Sequence, residues 1–358
     1  MKKMVMLAMS IIAFSSTRAQ TFQYRNLVME GAGVKGFAYA GALQVLDSMG
    51  ILQKIQRVAG TSVGAIQGAL LAVGYSSTEI IELTAHIPLK QFNDGGGMLP
   101  GGIHRLRKQF GWYKGEKIAH WMEGLIAAKT GNGQITFAEL HALSAQKGYK
   151  DLYITGTDLT YQTLRVFSYE HYPNMRICDA VRISLSIPLY YRAVLMDDSG
   201  RVYKKPAGKQ LLHVMVDGGV LSNYPIYLFD SARYVNDRAA YTNTAFENRE
   251  TLGLLMEIPE QIKYNAQQPG VYPFEIDNMT DYLKALYHTL IDKANPEVTN
   301  PNSIRRTIAI DNLNLSGRVR KLPRKTITAL VENGKEGARR FFNTGETDLE
   351  TLKLARGL

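Results

Sequence analysis

The stretch Asn26-Leu27-Val28-Met29-Glu30-Gly31-Ala32-Gly33-Val34-Lys35-Gly36-Phe37-Ala38-Tyr39 decides the fold. A short apolar run enters a glycine-rich turn, and a helical pattern leaves it at once. Strand, tight turn and helix together form the repeating unit of an α/β sheet. Such a turn leaves backbone N–H groups without intrahelical partners at a helix N-terminus, where they suit a negative oxygen. A second corner of the same kind follows at Gly60-Thr61-Ser62-Val63-Gly64.

Outward from these corners, β-rich apolar runs alternate with helical periodicity. Strands are expected at 24–30, 55–59, 151–157, 164–168, 211–216, 252–258 and 305–310. Helices are expected at 36–48, 63–73, 78–86, 115–129, 137–146, 177–185, 225–234, 277–293 and 324–342. This alternation predicts a three-layer α/β/α sandwich around a mainly parallel sheet. The segment Asn93–Gly102 is too rich in glycine for regular structure. It is either the hinge of a lid, with Met98 and Leu99 at the tip, or a plain connection. No internal repeat divides the chain.

Gly60-x-Ser62-x-Gly64 arises by chance in roughly one chain in ten of this length. Its context adds weight, because residues 55–60 read as a strand and 63–72 as a helix. A serine on a strand-to-helix corner has the geometry of a nucleophile elbow. The competing explanation is an N-cap serine in a tight turn. A nucleophilic serine needs a base. The seven histidines, His86, His104, His120, His141, His171, His213 and His288, occupy no distinctive turn. Asp217 closes the strand 211–216 and is followed by Gly218 and Gly219, which is where functional carboxylates gather in α/β folds. The competing explanation is an ordinary Asp-Gly turn.

Gly31-x-Gly33-x-x-Gly36 also fits a dinucleotide fingerprint literally. That motif requires an acid at the end of the next strand, and the next strand here ends in Gly60-Thr61-Ser62. A phosphate-binding P-loop lacks its Gly-Lys-Ser/Thr. An oxyanion hole fits the turn better.

In these three motifs the chain resembles bacterial members of the patatin-like phospholipase family. Gly31-Ala32-Gly33-Val34-Lys35-Gly36 is similar to the family's G-G-G-x-K/R-G, Gly60–Gly64 to its G-x-S-x-G, and Asp217-Gly218-Gly219 to its D-G-A/G. Weaker likeness covers Trp112–Gly115, Thr136–Leu140, Asp158 and Asp179–Pro188, so that it extends from about Tyr24 to the region of Gly334. Ala32 departs from the family's glycine. An alanine keeps the N–H, and the hole survives if its φ is negative.

The resemblance implies a patatin-like fold and a Ser–Asp dyad without histidine. Ser62 would attack the ester carbonyl and Asp217 would take its proton. The N–H groups of Gly31, Ala32, Gly33 and Val34 would hold the oxyanion. Asp217 would then activate water against the acyl-enzyme. Lys35 would order the glycine loop, with Gly36, Gly60, Gly64, Gly218 and Gly219 as motif support. The implied activity is lipid acyl hydrolysis of the phospholipase A or lysophospholipase type, on phospholipid or another acyl lipid at a membrane surface. A general carboxylesterase or thioesterase is the alternative enzyme. A lipid-binding effector with weak catalysis is the alternative of another class, motivated by Ala32. A Ser–His triad of the α/β-hydrolase kind is disfavoured, because that fold places several strands before its elbow. No cofactor, metal or nucleic-acid partner is expected, and a protein activator stays open.

The first nineteen residues have the layout of a signal peptide: Lys2 and Lys3, the uncharged apolar run Met4–Phe14, then Thr17 and Ala19 before a cleavage point. Export to the periplasm or beyond is expected, with residues 20–358 as one domain and about 311–358 as its helical extension. Cleavage would remove three of the 42 Lys and Arg and none of the 32 acids, taking the net charge from +10 to +7. That balance suits anionic lipid and nucleic acid alike. Candidate lipid-facing stretches are Ile103–Trp121 and Arg318–Lys325, both basic and the first also aromatic. The only cysteine, Cys178, allows no internal disulfide and is expected to be a small buried residue.

Overall fold

The strand expected before the first glycine turn is β1, Asn26–Met29, and all four of its residues are buried. It lies between β2, Arg57–Gly60, and β10, Thr251–Glu257, parallel to both. This computed structural model describes residues 23–344, apart from 96–98, 206–210, 236–246, 269, 274, 280, 283–284, 287–288, 290–294 and 316–320. The expected signal peptide, His288, Met98, Arg318 and everything after 344 lie outside the described residues.

One nine-stranded sheet runs β11-β10-β1-β2-β4-β9-β7-β8, with β5 paired to β4 off that path. Here β4 is Asp151–Asp158, β5 Thr163–Phe167, β7 Val194–Met196, β8 Val202–Tyr203, β9 His213–Asp217 and β11 Thr307–Asp311. The strands β11, β10, β1, β2 and β4 run parallel. Beyond β4 the pairing turns antiparallel through β9, β7 and β8. All seven expected strands are present. The short strands β7 and β8 were not legible, nor was a separate two-stranded sheet of β3, Gly111–Tyr113, with β6, Leu189–Tyr191. Runs of two or three residues carry too little alternation to be recognised.

The sheet separates two apolar layers. Leu27 and Met29 of β1 join the large core cluster, whereas Val28 between them joins the small one. In β4, Leu152 and Ile154 face the large cluster and Tyr153 the small one. This period of two on strands buried at both faces is the mark of a parallel sheet inside a layered sandwich. Helices α1, Ala38–Ser48, and α2, Val63–Ala72, contribute to the large cluster, as does α8, Ile177–Ser184. Cys178 on α8 is buried, and burial pushes its thiol up to about 12.

The helices α3, Ser77–Ala85, α6, Glu116–Thr130, and α7, Phe137–Lys147, lie where periodicity placed them. Short helices α4, Leu89–Phe92, and α9, Pro259–Asn265, were missed, as was α10, Pro301–Ile304. The long helix α11, Arg324–Thr344, packs on α1 at very close range: a Cβ on Gly41 would meet the Val331 carbonyl at 1.8 Å.

Two expectations are corrected. The helix expected over 225–234 is a pair of 3₁₀ turns, Ile226–Phe229 and Ala232–Tyr234. They bury Ile226, Phe229 and Tyr234 against the small cluster, so tertiary packing fixes a tighter turn than periodicity foretold. The glycine-rich segment 93–102 is also not structureless, because Leu99 opens helix α5, Leu99–Gln109. Pro100 suits a helix start. Asp94, ahead of it, is buried and accepts from the N–H groups of Gly115 and Lys117.

Candidate active site

Strand β4 acts as the ruler that brings distant loops together. Gly60, at the end of β2, lies opposite Ile154, and Asp217, at the end of β9, lies opposite Gly156. The two corners therefore meet two residues apart along one strand. Thr61 and Thr155 seal the junction with buried hydroxyls 2.6 Å apart.

At the first corner Ser62 adopts φ 53° and ψ −120°, a left-handed conformation that L-residues rarely hold outside strained, functional turns. The turn is that sharp because β2 and α2 touch. A Cβ on Gly60 would sit 2.3 Å from the Gly64 carbonyl oxygen, and one on Gly64 would sit 2.3 Å from the carbonyl of Met29 on β1. Only glycine fits either position. The N-cap explanation of Ser62 fails, since its side chain makes no capping hydrogen bond. Its N–H donates instead to Ser184 Oγ at 2.8 Å.

Asp217 is 6% exposed. Its Oδ1 accepts from the Gly219 N–H at 2.8 Å, and the Ser62 side chain lies near enough to favour the ionised carboxylate. Burial drives the proton affinity up, and the Gly219 N–H and the neighbouring Ser62 draw it down, leaving Asp217 at about 7. Gly218 lies against Thr155, where a Cβ would be 2.3 Å from Oγ1.

The glycine loop sits on the same corner. A Cβ on Gly31 would be 3.2 Å from that of Ser62, and a Cβ on Gly36 would collide with Val63 at 2.4 Å. Ala32 has φ −132°, and Gly33 takes the positive φ, 54°. The alanine therefore stands where an alanine is comfortable, which removes the motive for a weakened hole. One expectation is corrected here. The Gly31 N–H donates to the Asn223 carbonyl at 3.0 Å and is not open to an oxyanion. The N–H groups of Ala32, Gly33 and Val34 have no protein acceptor among the described residues. Lys35 is half-buried.

Sequence reasoning missed the residues that hold this arrangement. Asn223 donates from Nδ2 to Glu30 Oε1 and to the Gly31 carbonyl, fixing the loop's entrance. Ser184 holds the Ser62 amide, and the Ser186 carbonyl accepts from the Asp217 N–H at 3.0 Å. One short segment at the end of α8 thus braces both corners. Its only signal was the weaker likeness over Asp179–Pro188. No described histidine bonds to Ser62 or Asp217. His213 is buried between Asp158, at 2.7 Å, and Asp198, at 2.9 Å, and Arg165 also holds Asp158. Among the described residues no group of His, Cys, Asp or Glu is placed to hold a metal ion, and no helix is long and apolar enough to cross a membrane.

A strained serine, a buried carboxylate of raised proton affinity and, on the adjoining loop, three amides without a protein acceptor are the groups that acyl transfer through a tetrahedral oxyanion requires. Comparison with known proteins agrees. A family model described as patatin-like phospholipase matches residues 27–230. The chain is 37% identical to the uncharacterized protein YqhO of Bacillus subtilis (strain 168) over 221 residues, 59% of this chain and 68% of that one. It is 34% identical to the uncharacterized protein R571 of Acanthamoeba polyphaga mimivirus over 209 residues, 58% of this chain and 62% of the viral protein's length. These relatives come from a bacterium and a virus, so the likeness does not assign a bacterial source. The fold is similar to that in the crystal structure of VipD from Legionella pneumophila, with a TM-score of 0.56 at 17% identity over 90% of this chain and 67% of that one.

Proposed function

Because this chain belongs to the patatin-like phospholipase family, we propose that it hydrolyses acyl esters of lipids, phospholipid or lysophospholipid, through a Ser62–Asp217 dyad. One observation carries the reading: register along β4 sets a strained elbow serine beside a buried carboxyl, whose proton affinity burial raises to about 7. An aspartate at its ordinary value is too weak a base for a serine hydroxyl at neutral pH. One poised near 7 is half ionised there and accepts a proton far more readily.

In the acylation step Ser62 Oγ forms a bond to the ester carbonyl carbon as Asp217 takes the hydroxyl proton. The carbonyl oxygen becomes an oxyanion facing the N–H groups of Ala32, Gly33 and Val34. Collapse expels the alcohol, which leaves with the proton held by Asp217. In deacylation Asp217 deprotonates water, the hydroxide attacks the acyl-enzyme, and Ser62 recovers its proton. These amides, left without a protein acceptor in the folded loop, would stabilise that charge without reorganising. We also propose export by the segment 1–19, to be checked by N-terminal sequencing of secreted material.

The test is active-site labelling. A lipid-like fluorophosphonate should add to Ser62, located by peptide mass spectrometry, and a lipid panel should release fatty acid from wild type and none from Ser62→Ala. Absence of labelling in a chain that binds lipid would overturn the enzyme in favour of a binding protein.

A further inference from the structure

Among the described residues three large apolar side chains, Phe110, Leu189 and Leu313, are exposed on positive-φ backbone, and the first two fall together. Phe110 is 52% exposed at φ 60°, and Leu189 is 67% exposed at φ 66°. Residues of this size seldom adopt positive φ, and asparagine or glycine would occupy either position with less strain. The two belong to one feature. Phe110 immediately precedes β3, and Leu189 opens β6, where it pairs with Gly111. The small sheet therefore ends in a tip of exposed hydrocarbon, and Tyr113 and Tyr190 pack behind it with ring centres 5.0 Å apart.

The surroundings of the tip are basic. Residues 99–117 contain Arg105, Arg107, Lys108, Lys114 and Lys117 but a single acid, Glu116. That acid is paired with Arg192 at 3.3 Å. Arg107 and Lys108 are exposed on helix α5, as is Ile103, and Lys117 is exposed in the first turn of α6.

The tip is also continuous with the candidate site. Leu189 follows Ser186 by three residues, and Ser186 braces Asp217. The buried Arg182 guanidinium donates to the carbonyls of Lys114 and Arg192, one beside each strand of the small sheet, and to Ser186 Oγ. One cation thus ties the tip to the segment that holds both corners.

We propose that this tip and the exposed face of α5 form the surface by which the protein docks on an anionic lipid bilayer. Phe110 and Leu189 enter the interfacial layer, and Arg107, Lys108 and Lys117 meet the headgroup phosphates. The proposal deepens the lipid-hydrolase reading, on which it rests, by naming the surface that meets the substrate. A rival apolar surface at 271–286 exposes Val271, Met279 and Tyr282 but carries Glu275, Asp277 and Asp281, which an anionic bilayer repels.

The experiment is co-sedimentation of the full chain with phosphatidylcholine vesicles, with and without phosphatidylserine, at low and high salt. Wild type should bind the anionic vesicles more tightly, and salt should reverse the gain. Phe110→Asn with Leu189→Asn removes the hydrocarbon while suiting the backbone. It should lower partitioning about tenfold or more, given the apolar area withdrawn, with no fall in Tm. Arg107→Glu with Lys108→Glu, at exposed positions, should abolish the response to phosphatidylserine. Met279→Ser with Tyr282→Ser should bind like wild type. Unchanged partitioning of the Phe110/Leu189 variant, or loss confined to the Met279/Tyr282 variant, would overturn the proposal. Sedimentation reads binding and not turnover, so a chain that hydrolysed nothing would still decide this question.

Discussion

Replacing Asp217 by Asn should make the protein inactive and more stable, and the gain in stability should depend on pH. The Asp217 carboxyl sits at about 7 against an ordinary 3.8, mainly because burial opposes its charge. At 1.36 kcal/mol per pH unit, that displacement corresponds to a ceiling of about 4 kcal/mol. The folded state keeps the proton where the unfolded chain has lost it. Stability from this group is therefore fully present below pH 3.8 and is lost as pH rises through 7. An asparagine has no charge to bury. Its amide can still accept from the Gly219 N–H, but its NH₂ needs a partner of its own. About half the ceiling, ~2 kcal/mol, is then the expected gain above pH 7. For a chain of this size that is a rise in Tm of about 5 °C, reversing to a comparable fall near pH 4, where Asp217 is protonated and only the cost of the unpartnered NH₂ remains. Differential scanning calorimetry of both proteins from pH 4 to pH 8 measures it, alongside ester turnover. Wild-type kcat/KM should rise with pH through about 7, the opposite sign to its stability, because the base works only when ionised. Parallel Tm curves at all pH values, or residual turnover in Asp217→Asn, would refute the reasoning.

Ser62→Ala should lose hydrolysis and fluorophosphonate labelling together, while circular dichroism shows an unchanged fold. Ser184→Ala leaves the Ser62 amide without its acceptor; kcat should fall about tenfold with KM little changed, and stability by about 1–3 kcal/mol. An equal rise in KM would show that Ser184 shapes substrate binding and does not hold the elbow. Gly64→Ala should not accumulate as soluble protein, because its Cβ would meet the Met29 carbonyl at 2.3 Å. Gly124→Ala, inside α6 and facing open space, should raise stability by about 0.5–1 kcal/mol, measured by urea denaturation.

Much of this protein is written in local sequence. The order strand, glycine turn, helix at 26–39 and again at 57–72 follows from residue periodicity and from the positions of glycine, which are local properties of the chain. The strand that ends in Asp217 is legible for the same reason. Tertiary structure decided what those corners do. Register along β4 places Asp217 beside Ser62, and no local pattern encodes which strands pair. The raised proton affinity of Asp217 comes from burial, which exists only once the layers close. The exclusion of Gly31 from the open amides depends on a carbonyl of Asn223, 192 residues away. Ser184 likewise braces Ser62 from 122 residues away. Residue type is a property of one position, but a hydrogen bond between distant loops is a property of the packed sheet that sets them at the same end.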